Sequence, residues 1–176
     1  MMMKILVIQT SLSQNANTAI LAKKAYDIIN EKGFQGEFID LRERTLPFCN
    51  GGKIENYDAE VQALYKEVEA ADAYMIAYPI YNYTFSGACK NFLDLFQSGM
   101  ADKKAGILCN SGGIRSFNFG AGELMMSMAF HNNVTLVQPV VHTWWEDFKD
   151  QELVSEKVIE KLSLMVDRLS VNTHTE

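Results

Sequence analysis

Three stretches of the chain gather groups suited to holding a ligand rather than to breaking bonds. The first is Thr10-Ser11-Leu12-Ser13-Gln14-Asn15-Ala16-Asn17-Thr18, rich in hydroxyl and amide side chains and free of charge. The apolar run Ile5 to Ile8 precedes it and a helical pattern follows, so it stands at a helix N-terminus. Free N–H groups and the helix dipole favour a phosphate there, and hydroxyls and amides complete an oxygen shell. Ser, Thr and Asn are also ordinary helix caps, a reading that one or two of them would satisfy; the density of the run favours phosphate.

The second stretch is Pro79-Ile80-Tyr81-Asn82-Tyr83-Thr84-Phe85-Ser86-Gly87. Its aromatic faces and backbone amides suit a flat heteroaromatic ring, with a core cluster or a subunit contact as the plainer alternative. The third is Asn110-Ser111-Gly112-Gly113, where missing Cβ atoms let a ring approach the backbone. Turns use Gly-Gly constantly, so this stretch counts only beside the others.

Little else in the chain proposes chemistry. Cys49, Cys89 and Cys109 are odd in number and far apart, which excludes a zinc or iron–sulfur spacing and favours a reducing compartment. His131 and His142 lack metal spacing and read as structural, and His174 lies in the tail. Arg115 reads as a solvated surface residue, Trp144 and Trp145 as packing, and Met125, Met126 and Met128 as core filling. The net charge of -6 gives nucleic acid and anionic lipid no general attraction. No stretch approaches the ~20 apolar residues of a membrane span, and the N-terminus lacks a signal-peptide pattern. A cytoplasmic protein is expected.

The elements that must position these loops alternate regularly. Strands are predicted at Ile5 to Ile8, Glu37 to Leu41, Ala73 to Tyr78, Lys104 to Asn110 and Thr135 to Val141. Helices are predicted from Asn17 to about Lys32, after a cap at Asp58, from about Gly87 to Gln97, from Gly120 to Asn132 and from about Gln151 to Leu169. Pro79 is expected to end the third strand, Arg42 to Tyr57 to be a loop, and the tail after Ser170 to fray. Helices between strands impose parallel pairing with right-handed crossovers. The expectation is an α/β single domain over 1–176, a three-layer doubly wound five-stranded parallel sheet in strand order 2-1-3-4-5. Ligands of such sheets bind beyond the carboxyl ends of the strands, where strand order reverses. The loops after strands one, three and four stand there.

These residues resemble the NAD(P)H-dependent FMN reductase family, within the flavodoxin-like superfamily. The first loop is similar to the family's Gly-Ser-x-Arg…Asn-Thr phosphate loop through Ser11, Asn15, Asn17 and Thr18. Pro79-Ile80-Tyr81-Asn82-Tyr83, Ser86-Gly87 and Lys90-Asn91-Phe92-Leu93-Asp94 match its second flavin loop and following helix, and Ser111-Gly112-Gly113 its third loop. The likeness runs from about Lys4 to Val141. Thr10 replaces the usual Gly and Ser13 the usual Arg, which removes a fixed charge and a forked donor. Cys49-Asn50-Gly51-Gly52 resembles relatives with an iron–sulfur cluster, but a single cysteine remains and no cluster is expected.

The resemblance implies an FMN-dependent oxidoreductase. FMN would carry the redox chemistry, with NADPH or NADH as hydride donor and a small-molecule electron acceptor. It implies phosphate contacts at Ser11, Ser13, Asn15, Asn17 and Thr18, and ring contacts at Pro79 to Tyr83 and at Asn110, Ser111, Gly112 and Gly113. No acid or base side chain and no metal is assigned to catalysis. A homodimer or homotetramer is implied as well. A flavodoxin-type one-electron carrier, which would react poorly with NAD(P)H, is the second reading. A non-enzymatic flavodoxin-like binding protein with no flavin is the third.

Overall fold

The computed structural model describes residues 2–113 and 119–171. Arg115 and His174 lie outside the described residues, as does the tail beyond 171. The elements are β1 (Lys4–Gln9), α1 (Asn17–Glu31), β2 (Gln35–Asp40), α2 (Ala59–Glu69), β3 (Ala73–Tyr81), β4 (Thr84–Phe85), α3 (Gly87–Phe96), β5 (Lys104–Asn110), α4 (Phe119–Asn132), β6 (Thr135–Thr143), β7 (Phe148–Lys149), β8 (Glu152–Leu153) and α5 (Glu156–Ser170).

The sheet runs β2-β1-β3-β5-β6, with every neighbouring pair parallel. The five long strands thus keep the expected order 2-1-3-4-5. The continuous apolar strands arise because both faces are covered. In β1, Leu6 and Ile8 pack with Leu64, Phe92 and Leu124 from α2, α3 and α4, while Ile5 and Val7 pack with Leu21, Ile29, Leu162 and Val166 from α1 and α5. These are the three layers of a doubly wound sheet.

Three expectations need correction. First, the sheet has a sixth strand: β4 pairs antiparallel with the end of β3, Tyr81 opposite Thr84. Second, Pro79 does not end β3, which continues to Tyr81. Ala77 turns its carbonyl toward β1, accepting from the Thr10 N–H. Two residues on, Pro79 faces the same side, where β1 has already ended. Its missing N–H therefore costs no ladder bond. Third, Gln151 does not open the last helix. Asp150 and Gln151 form the turn of the β7–β8 hairpin, both at positive φ, and α5 starts at Glu156.

The long segment after β2 has two short 3-10 turns, Leu41–Glu43 and Ile54–Asn56. Asn91 fastens it to α3: its side chain accepts from the Cys49 N–H at 2.9 Å and donates to the Pro47 carbonyl at 3.0 Å.

Candidate functional site

Strand register brings the three loops to one edge. Gln9 stands beside Ala77 and Pro79 beside Asn110, so the chain leaves β1, β3 and β5 at adjacent points. Side chains tie the loops together. Thr10 is buried and its Oγ1 donates to the Ala77 carbonyl at 2.9 Å. The residue that replaces the usual Gly is thereby spent on the sheet. Ser86 caps α3 by accepting from the Cys89 N–H at 3.2 Å.

The first loop ends on an open helix. Ala16 occupies the N-cap of α1 and no side chain caps it. The N–H groups of Asn17 and Thr18 meet no acceptor among the described residues. No acidic residue occupies the first turn. Hence the helix presents free donors and its positive dipole end to the loop. Ser11 and Thr18 are buried, Asn17 is half-buried, and Ser13 and Asn15 are exposed. The surrounding residue types fit a phosphate, and the capping alternative fails because none of them caps the helix.

The second loop is a two-residue hairpin turn. Asn82 and Tyr83 have φ of 51° and 68°, the pattern of a type I′ turn. Tyr81 and Tyr83 are exposed at the site, while Phe85 packs edge-on against buried Tyr78. The three aromatics therefore divide, two to the surface and one to the core side. In the third loop the Ser111 N–H donates to Thr143 at 2.9 Å, and its Oγ to Gly113 at 2.9 Å. Among the described residues, a Cβ placed on Gly112 or Gly113 would meet nothing within 4 Å.

Further polar residues support these loops from below. His142 sets Nε2 3.1 Å from the Ser111 Oγ, beneath the third loop. Burial lowers its pKa, Asp147 opposes this and Lys161 adds to it. Gln9 and Asp40, both buried polar residues at strand ends, join Arg42 under the first loop. Burial by itself would raise the Asp40 carboxyl, but bonds from Arg42 and Gln9 and the Arg42 charge hold it below the ordinary value. The signal was a polar residue closing an apolar strand, which chain position alone does not separate from a loop start.

A groove of about 890 Å³ runs from Gln14 to Asn17 along α1, past Lys23 and Lys24, to the β7–β8 hairpin and Trp145. Trp145 is exposed there, with its ring edge-on to that of Trp144 at 5.8 Å, so it does not pack in the core of the chain. Met128 is buried as expected, but Met126 is exposed on α4. All three cysteines are free; burial pushes the Cys89 thiol up to about 12. Among the described residues no three His, Cys, Asp or Glu side chains form a metal cluster.

A model of the NADPH-dependent FMN reductases matches residues 3–146. The chain belongs to the NADPH-dependent FMN reductase family. Members are FMN-dependent oxidoreductases that draw on a nicotinamide nucleotide, and the expected class and cofactors stand. An NAD(P)H-dependent FAD/FMN reductase of Geobacillus thermodenitrificans is 27% identical over 72% of this chain and 69% of its own length. An FMN-dependent NADPH-azoreductase of Staphylococcus saprophyticus is 30% identical over 65% of this chain, and an NAD(P)H:quinone oxidoreductase of Solanum tuberosum 34% over 52%. The matches span 63% and 46% of those two proteins. Among solved structures, an apo NADH:FMN oxidoreductase superposes with a TM-score of 0.78 at 22% identity, covering 97% of this chain and 92% of its own. An archaeal flavodoxin superposes at 0.68 and 15% identity, covering 96% and 100%. These two likenesses establish the flavodoxin-like fold.

Proposed function

We propose that this reductase-family chain holds FMN across its three loops, the phosphate at the open N-terminus of α1 and the ring between the second and third loops. Bound FMN would supply the redox chemistry, taking hydride from NADPH or NADH and handing electrons to a small acceptor. The observation that carries the reading is the uncapped start of α1, set where strand register converges the other two loops.

The chain's own contribution is binding and exclusion. Asn17 and Thr18 offer backbone donors to phosphate oxygens, with the side chains of Ser11, Ser13, Asn15 and Asn17 around them. Backbone from Pro79 to Tyr83 would border the ring on one side, and Asn110 to Gly113 on the other. Exposed Tyr81 and Tyr83 would wall the mouth and keep water from the ring edge. Nothing in this arrangement requires an acid or base side chain.

The curated relatives differ in their named acceptors, a quinone for one and an azo compound for another. The fold does not choose between them. Exposed Met126 and Phe130 on α4 support a symmetric dimer or tetramer. Three free cysteines support a reducing, cytoplasmic setting. No helix among the described residues is long and apolar enough to cross a membrane.

The test is the visible spectrum of the purified chain after FMN is added and the excess removed, recorded before and after anaerobic NADPH or NADH. A yellow protein that bleaches within seconds supports the reductase. A yellow protein that stays yellow moves the reading to a one-electron carrier, and a colourless one overturns FMN binding.

A further inference from the structure

The phosphate loop of this chain lacks the arginine of its family pattern, Ser13 standing in that place. A guanidinium nevertheless reaches the loop from another element. Arg42, just beyond β2, donates from Nη1 to the Gln14 carbonyl at 3.0 Å. Its Nε and Nη2 grip the Asp40 carboxylate at 3.0 and 2.5 Å. Asp40 is buried and also accepts from the Arg42 N–H and the Gln9 Nε2, each at 2.9 Å. Gln9 is fully buried, and its amide satisfies both backbone groups of Ser11: Nε2 donates to the Ser11 carbonyl at 3.0 Å, and Oε1 accepts the Ser11 N–H.

Followed through, these bonds form one chain: Ser11, Gln9, Asp40, Arg42, Gln14. The start of the phosphate loop and the residue two before the N-cap are fastened to the same buried carboxylate. Between them lie only Leu12 and Ser13. A planar fork is what spans such a gap, since it can meet a carboxylate and a carbonyl at once. A point charge on a flexible stem cannot hold both in register.

We propose that Arg42, braced by Asp40 and Gln9, is the positioning residue of the phosphate loop and sets this chain's preference for a phosphorylated flavin over its dephosphorylated form. The inference rests on the reading above that FMN lies at this loop. Arg42 acts through Gln14: the Asp40–Arg42 pair is close to neutral overall, so its worth lies in geometry rather than long-range charge. One N–H on each Nη has no partner among the described residues, and Arg42 lines the same groove as Gln14 to Asn17.

The experiment titrates the full-length, flavin-free chain with FMN and with riboflavin, following flavin fluorescence, for wild type, Arg42→Gln and Arg42→Lys. Riboflavin has the ring and the ribityl chain but no phosphate, so it reads the ring loops alone. For Arg42→Gln, FMN affinity is expected to fall about tenfold, the size of one charge-assisted hydrogen bond, with riboflavin affinity unchanged. Arg42→Lys is expected to lie close to Arg42→Gln. A parallel fall for both flavins would mark a general structural role and overturn the proposal. So would unchanged FMN affinity, or an Arg42→Lys protein that behaves as wild type. If Arg42→Gln fails to fold, Arg42→Lys decides by the same criteria. A wild-type chain that does not prefer FMN to riboflavin overturns the phosphate assignment itself, and this inference with it.

Discussion

Tyr83 holds its backbone at φ 68° with Asn82 beside it at 51°. A type I′ turn imposes both values, and glycine is the residue that meets the second at no steric cost. A tyrosine there carries strain on the order of 1–2 kcal/mol. Its ring is more than half exposed. Tyr83→Gly is expected to raise folding stability by about 1 kcal/mol in urea unfolding while weakening FMN and riboflavin equally, since ring contacts are shared by both. A variant that gains stability with flavin binding intact would remove Tyr83 from the site. The sequence exposed this loop as aromatic but not its division of labour. Tyr81, Tyr83 and Phe85 look alike in a string, and only the hairpin sends Phe85 to Tyr78 and the two tyrosines outward. The Gln9–Asp40–Arg42 brace was hidden for a similar reason, because Gln9 and Asp40 are 31 residues apart and meet only once β1 and β2 pair.

At the scale of elements, the long strands and helices were legible because burial on both faces leaves continuous apolar runs. The short pieces were not. β4, β7 and β8 have two residues each, too few for any period. They are held by turns and by neighbours instead. The contact between β4 and α4 shows how tightly. A Cβ on Gly120 would stand 2.6 Å from the Phe85 nitrogen and 2.8 Å from the Thr84 Cα. Backbone cannot give way as a flexible side chain does. The same junction carries the Gly120 N–H to Tyr83 carbonyl bond at 3.3 Å and the Thr84 to Glu123 bond at 2.7 Å. Gly120→Ala is therefore expected to push α4 from the hairpin, costing about 1–3 kcal/mol in thermal or denaturant unfolding. Flavin affinity should fall with it, because the hairpin is the second loop. An alanine variant of wild-type stability would mean that α4 does not press on β4 in solution.

Across the whole molecule, the site has no existence in any one segment. Its three loops start near residues 10, 79 and 110, and each is placed by a different strand of one sheet. The family match ends at 146, yet α5 beyond it buries Val158, Leu162, Met165, Val166 and Leu169 against the face shared with α1. A ligand that bridges three strand ends binds the folded chain and not the unfolded one, so its free energy adds to global stability. At a hundred times its Kd, such a ligand contributes about 2.7 kcal/mol. For a chain of 176 residues each kcal/mol moves Tm about 2–4 °C, which gives a rise of about 5–11 °C. Thermal unfolding of the flavin-free chain with FMN is expected to show that rise. Riboflavin at the same concentration should give a smaller one, because the open end of α1 would then go without its phosphate. Equal shifts from the two flavins would mean that the ring loops bind alone. No shift with FMN would mean that register brings the loops together for some other ligand.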